Sequence, residues 1–188
     1  MDEDILIINT NTRNEKFKKF YVNNRNKIIS IILTILIILV GAYSFDKYQT
    51  NKKIEISNKY NLTTLKYSED IKDITVKNLV EIINELDPTY SSLSLYFIID
   101  NKLIVNKSEI NSYFDILIKK TSLDKEIKNL IIYKKALFNA DRAKEGDLLS
   151  ILNPLINSES VWKSHALHLM AEFFYFNGHL KKSKEFFN

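Results

Sequence analysis

The chain has 188 residues, of which 45% are hydrophobic and 27% charged, and this balance excludes wholesale disorder. Three glycines and two prolines are too few for a protein rich in hairpin turns, so the composition favours long helices. Because cysteine is absent, thiolate catalysis, cysteine-based zinc sites and disulfides are excluded.

The net charge of +4 does not indicate a nucleic-acid partner. About half of this excess comes from residues 1–27, where six basic side chains accompany four acidic ones. The rest of the chain mixes both signs, with no basic stripe and no recognisable nucleic-acid-binding motif. We therefore expect no nucleic acid among the partners and interpret residues 1–27 as a basic cytoplasmic tail.

Residues 28–45 read IISIILTILIILVGAYSF and contain no charge. A helix of this length spans roughly 27 Å, which is enough to cross the hydrocarbon core of a bilayer. A buried core helix is the alternative, but core helices seldom run this long without a polar face. The pattern predicts a transmembrane helix at 28–45, with the lipid bilayer as a partner.

Lysines and arginines set the predicted orientation of this helix. Six precede it and four follow within a short distance, so the positive-inside rule favours a cytoplasmic N-terminus. The C-terminal part would then lie in the periplasm of a Gram-negative cell, anchored in the inner membrane. A signal peptide cleaved near Val40-Gly41-Ala42 is the alternative. The long leading segment and long apolar run favour an uncleaved anchor, and whether cleavage occurs stays open.

Residues 46–87 are predicted to form connecting amphipathic helices. Aromatic and apolar residues recur at a spacing close to four between Tyr48 and Tyr67, which is typical of one helix. A second helix is predicted from Thr75 to Asp87, where the following proline disfavours helical geometry.

Residues 88–188 are predicted to form a series of helical hairpins. The first two predicted pairs are 90–104 with 108–120 and 124–143 with 147–156. In the third pair, Ser158 or Ser160 caps a helix that reaches Phe176, and a helix that starts at Leu180 follows it. The alternative for SLYFIID, residues 94–100, is a short strand. Asn106, Gly146 and Gly178 lie in the predicted turns between the paired helices. They are separated by 40 and 32 residues, values on either side of the 34-residue tetratricopeptide period. The predicted fold is all-α, a transmembrane helix followed by tetratricopeptide-like hairpins in a right-handed α-solenoid.

The C-terminal stretch LNPLINSESVWKSHALHLMAEFFYFNGHLKKSKEFF resembles the tetratricopeptide-like domain of the ancillary Sec translocon subunit family, especially its alphaproteobacterial members. A charged tail, one span and a helical-repeat domain also match that family. The resemblance implies association with the Sec translocon, with periplasmic chaperones or with exported clients. The expected repeat-packing residues are Pro154, Trp162, Ala166, Met170, Ala171, Phe174, Gly178, Ser183 and Phe187.

The middle unit departs from the repeat pattern, because Asn139, Asp141 and Arg142 fall near the register of core positions. The sequence also stops before a closing helix would be expected, which leaves open whether the C-terminus is complete.

The histidines suggest one possible site. His165, His168 and Glu172 have spacings of three and four, so they lie on one helix face that could hold a metal. The other interpretation places them on the concave, partner-facing side, which would comprise His165, His168, Glu172, Tyr175 and Phe176. No phosphate-binding loop, nucleophile elbow or His-Glu-x-x-His pattern occurs. We therefore expect no enzyme activity, cofactor or metal.

The sequence thus predicts a membrane-anchored protein-interaction protein, ancillary to the Sec translocon and to periplasmic chaperoning. An envelope scaffold for cell division or outer-membrane assembly is the first alternative, since one fold serves many partners. A membrane-tethered metalloenzyme is the second. The sequence leaves homo-oligomerisation open.

Overall fold

The computed structural model describes residues 2–187, with side chains described from Asn14 onward. The side chains of Asp2, Glu3, Asp4 and Arg13 in the predicted tail therefore lie outside the described residues. The helices are α1 Asp2–Leu65, α2 Lys72–Asn84, α3 Tyr90–Asp100, α4 Lys107–Lys120, α5 Lys125–Ala140, α6 Glu145–Ile156, α7 Lys163–Phe176 and α8 Leu180–Phe187, with a 3-10 turn at Glu69–Ile71.

The all-α prediction is confirmed, because the described residues form helices and no strand. The strand alternative for residues 94–100 is wrong, since they lie within α3. At the start of α3 the buried Ser91 hydroxyl donates a 2.7 Å hydrogen bond to the backbone oxygen of Ile82, which joins α3 to α2.

The first helix is longer than predicted. Residues 28–45 and the connecting segment that follows belong to the single helix α1 rather than to two helices. Within it, residues 29–45 are all exposed, so they do not form a protein core. Among the described residues, this is the one helix long and apolar enough to cross a membrane.

The chain divides into two compact units, one ending at Lys52 and the other starting at Lys53. The second unit contains two buried clusters. The first is formed mainly by α2, α3 and α4, with Ile56 of α1 packed into it. The second is formed by α5, α6 and α7. Apolar residues spaced by four and three build these faces, as Leu148, Leu152 and Leu155 do in α6, and each fully buried leucine contributes about 1.5–3 kcal/mol.

Helices adjacent in the chain pack against one another, most extensively α2 with α3, α5 with α6, and α7 with α8. The last two pairs match the predicted hairpins. Helix α3 was predicted to pair with α4, but it packs more extensively against α2 than against α4. A tight turn accounts for this, because the Asp87 carboxylate accepts hydrogen bonds from the backbone amides of Thr89 and Tyr90 at 2.9 and 2.7 Å.

Among the described helices, three are followed by a residue with positive φ, namely Leu86 after α2, Lys102 after α3 and Gly178 after α7. The last two form the same hydrogen-bonded turn. After α7, Gly178 has φ +78°, and the amides of Gly178 and His179 donate to the backbone oxygens of Tyr175 and Phe174 at 3.0 and 2.8 Å. After α3, Lys102 occupies the equivalent position with φ 51°. Both turns satisfy terminal carbonyl groups of their helices, but only glycine adopts this conformation without strain.

We therefore expect opposite effects from exchanging residues at these two turns. Gly178→Ala should destabilise the protein by about 1 kcal/mol, since a Cβ meets no atom within 4 Å and only the backbone conformation is penalised. Lys102→Gly should stabilise it by up to a similar amount. Urea unfolding followed by circular dichroism measures both. Gly146→Ala, in the first turn of α6, is the matched control and should be neutral or mildly stabilising; a Gly178→Ala variant as stable as this control would contradict the assignment.

Candidate functional site

A buried polar network fixes the start of α7 against α5. The Ser160 hydroxyl donates to the Glu126 carboxylate at 2.7 Å and accepts from the Asn129 side chain at 2.9 Å and from the Trp162 amide at 3.1 Å. The Trp162 indole donates to the backbone oxygen of Glu126 at 3.1 Å. The predicted cap at Ser158 or Ser160 is therefore wrong, because the N-cap of α7 is Trp162, whose side chain makes no capping hydrogen bond. Ser160 instead joins the start of α7 to α5.

Aromatic side chains continue this junction along α5 and α7. Tyr133 stacks on Trp162 with ring centroids 5.8 Å apart, and the exposed His165 ring lies 5.3 Å from Trp162 and 5.8 Å from Tyr133. Burial raises the pKa of the Tyr133 hydroxyl, and the negative charge of Glu172 raises it further. The tyrosine is thus neutral at physiological pH, and it belongs to the packed junction.

The other predicted histidine contacts different neighbours. His168 lies with Nδ1 3.5 Å from Oε2 of Glu172, and its ring centroid is 5.6 Å from that of Phe187 in α8. His165 is therefore next to α5 and His168 next to α8. Among the residues whose side chains are described, no group of three or more histidine, aspartate or glutamate side chains is arranged to hold a metal ion.

A groove of about 420 Å³ opens between α5 and α7 near their C-terminal ends. We name it the α5–α7 groove. Two of the predicted partner-binding residues, Glu172 and Phe176, line it. Phe176 is 81% exposed and Leu137 on the opposite side is 45% exposed, whereas the neighbouring Tyr175 is exposed outside the groove. The lining comprises Leu137, Ala140, Asp141, Ala143, Leu169, Glu172, Phe173, Phe176 and Asn177.

The expected repeat-packing residues lie in three environments. Five are buried in the second unit, namely Ala166, Met170, Ala171, Phe174 and Ser183. Trp162 is half-buried, while Pro154, Gly178 and Phe187 are exposed.

Sequence reasoning missed the polar side-chain pairs between helices. Asn111 of α4 and Asn139 of α5 exchange two hydrogen bonds of 3.0 and 2.8 Å, which gives Asn139 a role at a position where the repeat pattern places a core residue. The network of Glu126, Asn129 and Ser160 was missed as well. No local signal could have found either, since the paired residues are separated by 28 to 34 positions in the chain.

These features define a class: over the described residues, an all-helical protein with one candidate membrane-spanning helix and a groove of mixed polar and apolar lining on its second compact unit. No protein-family model, curated protein or solved structure matches the chain.

Proposed function

We propose that this protein is a membrane-anchored protein-interaction protein, with residues 28–45 as the anchor and the α5–α7 groove as its contact surface. The observation that carries the proposal is the exposure of Phe176 and Leu137 on the two sides of a groove in the second unit. An exposed phenylalanine beside a preformed cavity is typical of a surface that a partner covers. The exposed apolar side chains of residues 29–45 fit a lipid environment for the anchor.

We further propose that the partner belongs to the Sec translocon, or is a periplasmic chaperone or exported client. The resemblance of the C-terminal stretch supports this choice, as does the excess of basic residues before the span, which favours a cytoplasmic N-terminus and a periplasmic second unit. An inner-membrane anchor would keep the groove near the exit of the translocon and raise its effective concentration there.

Affinity capture from detergent-solubilised membranes tests the proposal. We expect translocon components to be enriched over a capture with an unrelated single-span protein, and Phe176→Ser to reduce that enrichment. Val105→Ser is the matched control, because Val105 is 89% exposed but lies outside the groove. Equal recovery with the unrelated protein would contradict the Sec assignment. Enrichment of division or outer-membrane assembly proteins instead would favour the envelope-scaffold alternative.

A further inference from the structure

We propose that the α5–α7 groove binds a polypeptide segment in which a lysine or arginine adjoins apolar side chains. This inference rests on the proposed function and names the chemistry of the segment that the groove accepts. Three features of the groove carry it: the leucine and phenylalanine side chains among its lining residues, its two carboxylates, and the ends of the two helices that form it.

The floor of the groove suits side chains without charge. Leu169 and the half-buried Phe173 supply its base, and the exposed Leu137 and Phe176 supply its walls. A volume of about 420 Å³ is at the lower end of the range for ligand sites, so it accommodates one or two large side chains rather than a folded surface. Covering these walls removes apolar area from water and favours binding.

The charged residues that line the groove are both acidic. Asp141 and Glu172 are exposed at its rim, and no lysine or arginine is among its described lining residues. Arg142 follows Asp141 in the chain but lines a separate cavity beside Lys107 and Lys135. Nδ1 of His168 lies 3.5 Å from the Glu172 carboxylate. Because both charged lining residues are acidic, the rim favours a cation.

The C-terminal ends of α5 and α7 add to the negative electrostatic potential that the two carboxylates give the groove. The last residue of α5, Ala140, and the last residue of α7, Phe176, both line the groove. A helix C-terminus carries the equivalent of about half a negative charge, which a basic residue in the last turn commonly offsets. Neither α5 nor α7 has such a residue, whereas the last turn of α4 contains Lys119 and Lys120. Because Arg142 directly follows the C-cap Asp141 of α5, a basic side chain of the bound segment would mainly offset the negative end of α7.

Peptide binding by the full-length protein in a neutral detergent tests this inference. The probe is a fluorescein-labelled decapeptide in which lysines alternate with phenylalanines, and the comparison peptides replace its lysines with glutamates or its phenylalanines with serines. We expect the lysine-phenylalanine peptide to bind at least about tenfold more tightly than either comparison peptide, and its affinity to fall as salt is added. Fluorescence anisotropy measures all three.

Variants locate the binding. The double substitution Asp141→Asn with Glu172→Gln should weaken binding of the lysine-phenylalanine peptide by about tenfold, while Glu159→Gln, an exposed carboxylate outside the groove, should not change it. Unfolding curves should be superimposable, since all three side chains are exposed. Equal affinity for the lysine and glutamate peptides, or an unaffected double variant, would overturn the inference. If the peptide results fail but membrane capture still enriches a partner and Phe176→Ser reduces that enrichment, only this inference fails. If the peptide binds as expected but capture enriches no partner, the proposed function fails.

Discussion

Replacing Phe174 with alanine is expected to lower the free energy of unfolding of the second unit by about 3–5 kcal/mol. Phe174 is 1% exposed, and its ring stacks on Phe186 of α8 with centroids 5.4 Å apart and meets Phe173 at 5.8 Å. Lys182 of α8 lies over the same ring at 5.2 Å. The substitution therefore removes the side chain that joins α7 to α8 and leaves a cavity.

Phe176→Ala provides the matched control for this experiment. The same side chain is removed two residues further along the same helix, but Phe176 is 81% exposed, so we expect a change within about 0.5 kcal/mol. Urea unfolding followed by circular dichroism compares the two variants with the parent protein. Similar losses of stability for the two variants would show that α7 packs with a different face towards α8.

The second large effect concerns the anchor. Leu36 and Ile37 lie at the centre of residues 28–45, and an arginine at the centre of a span costs about 2.5–3.5 kcal/mol of insertion free energy. Replacing both residues with arginine should therefore release most of the protein from membranes washed with alkaline carbonate. The measurement is the fraction of protein that stays in the membrane pellet.

A control within the same helix separates loss of the anchor from the added charge. Leu62 also lies in α1 and is 56% exposed, but it is outside the predicted span. We expect Leu62→Arg to remain in the pellet with the parent protein. A double arginine variant that resists carbonate as well as this control would mean that residues 28–45 do not anchor the chain.

Local signals predicted most helix boundaries. The Asp87-Pro88 pair, Asn106 and Gly178 each act within a few residues: the asparagine accepts amide hydrogen bonds at the start of α4, and the glycine adopts positive φ after α7. The continuity of α1 was missed because a change from apolar to charged residues marks the predicted membrane boundary, not the end of a helix. Without glycine or proline after Gly41 in this stretch, the chain has no local reason to stop being helical before Leu65.

The candidate site was predictable only in part. Spacing correctly placed His165, His168 and Glu172 on neighbouring turns of one helix, but residues three apart differ in direction by about 60°. That difference is enough for His165 to contact Tyr133 and for His168 to contact Phe187. The α5–α7 groove was not predicted, because its two walls come from helices whose approach depends on buried pairs distant in sequence.

Topology is the most direct test of the central claim that the span holds the groove outside the cytoplasm. Two reporters are used: alkaline phosphatase, which is active only after export, and a fluorescent protein that matures only in the cytoplasm. Each reporter is fused once before residue 28 and once after the second unit. We predict phosphatase activity only for the C-terminal fusion, fluorescence only for the N-terminal one, and both fusions at full length. Fluorescence from the C-terminal fusion would place the groove in the cytoplasm and contradict the exported, Sec-associated function.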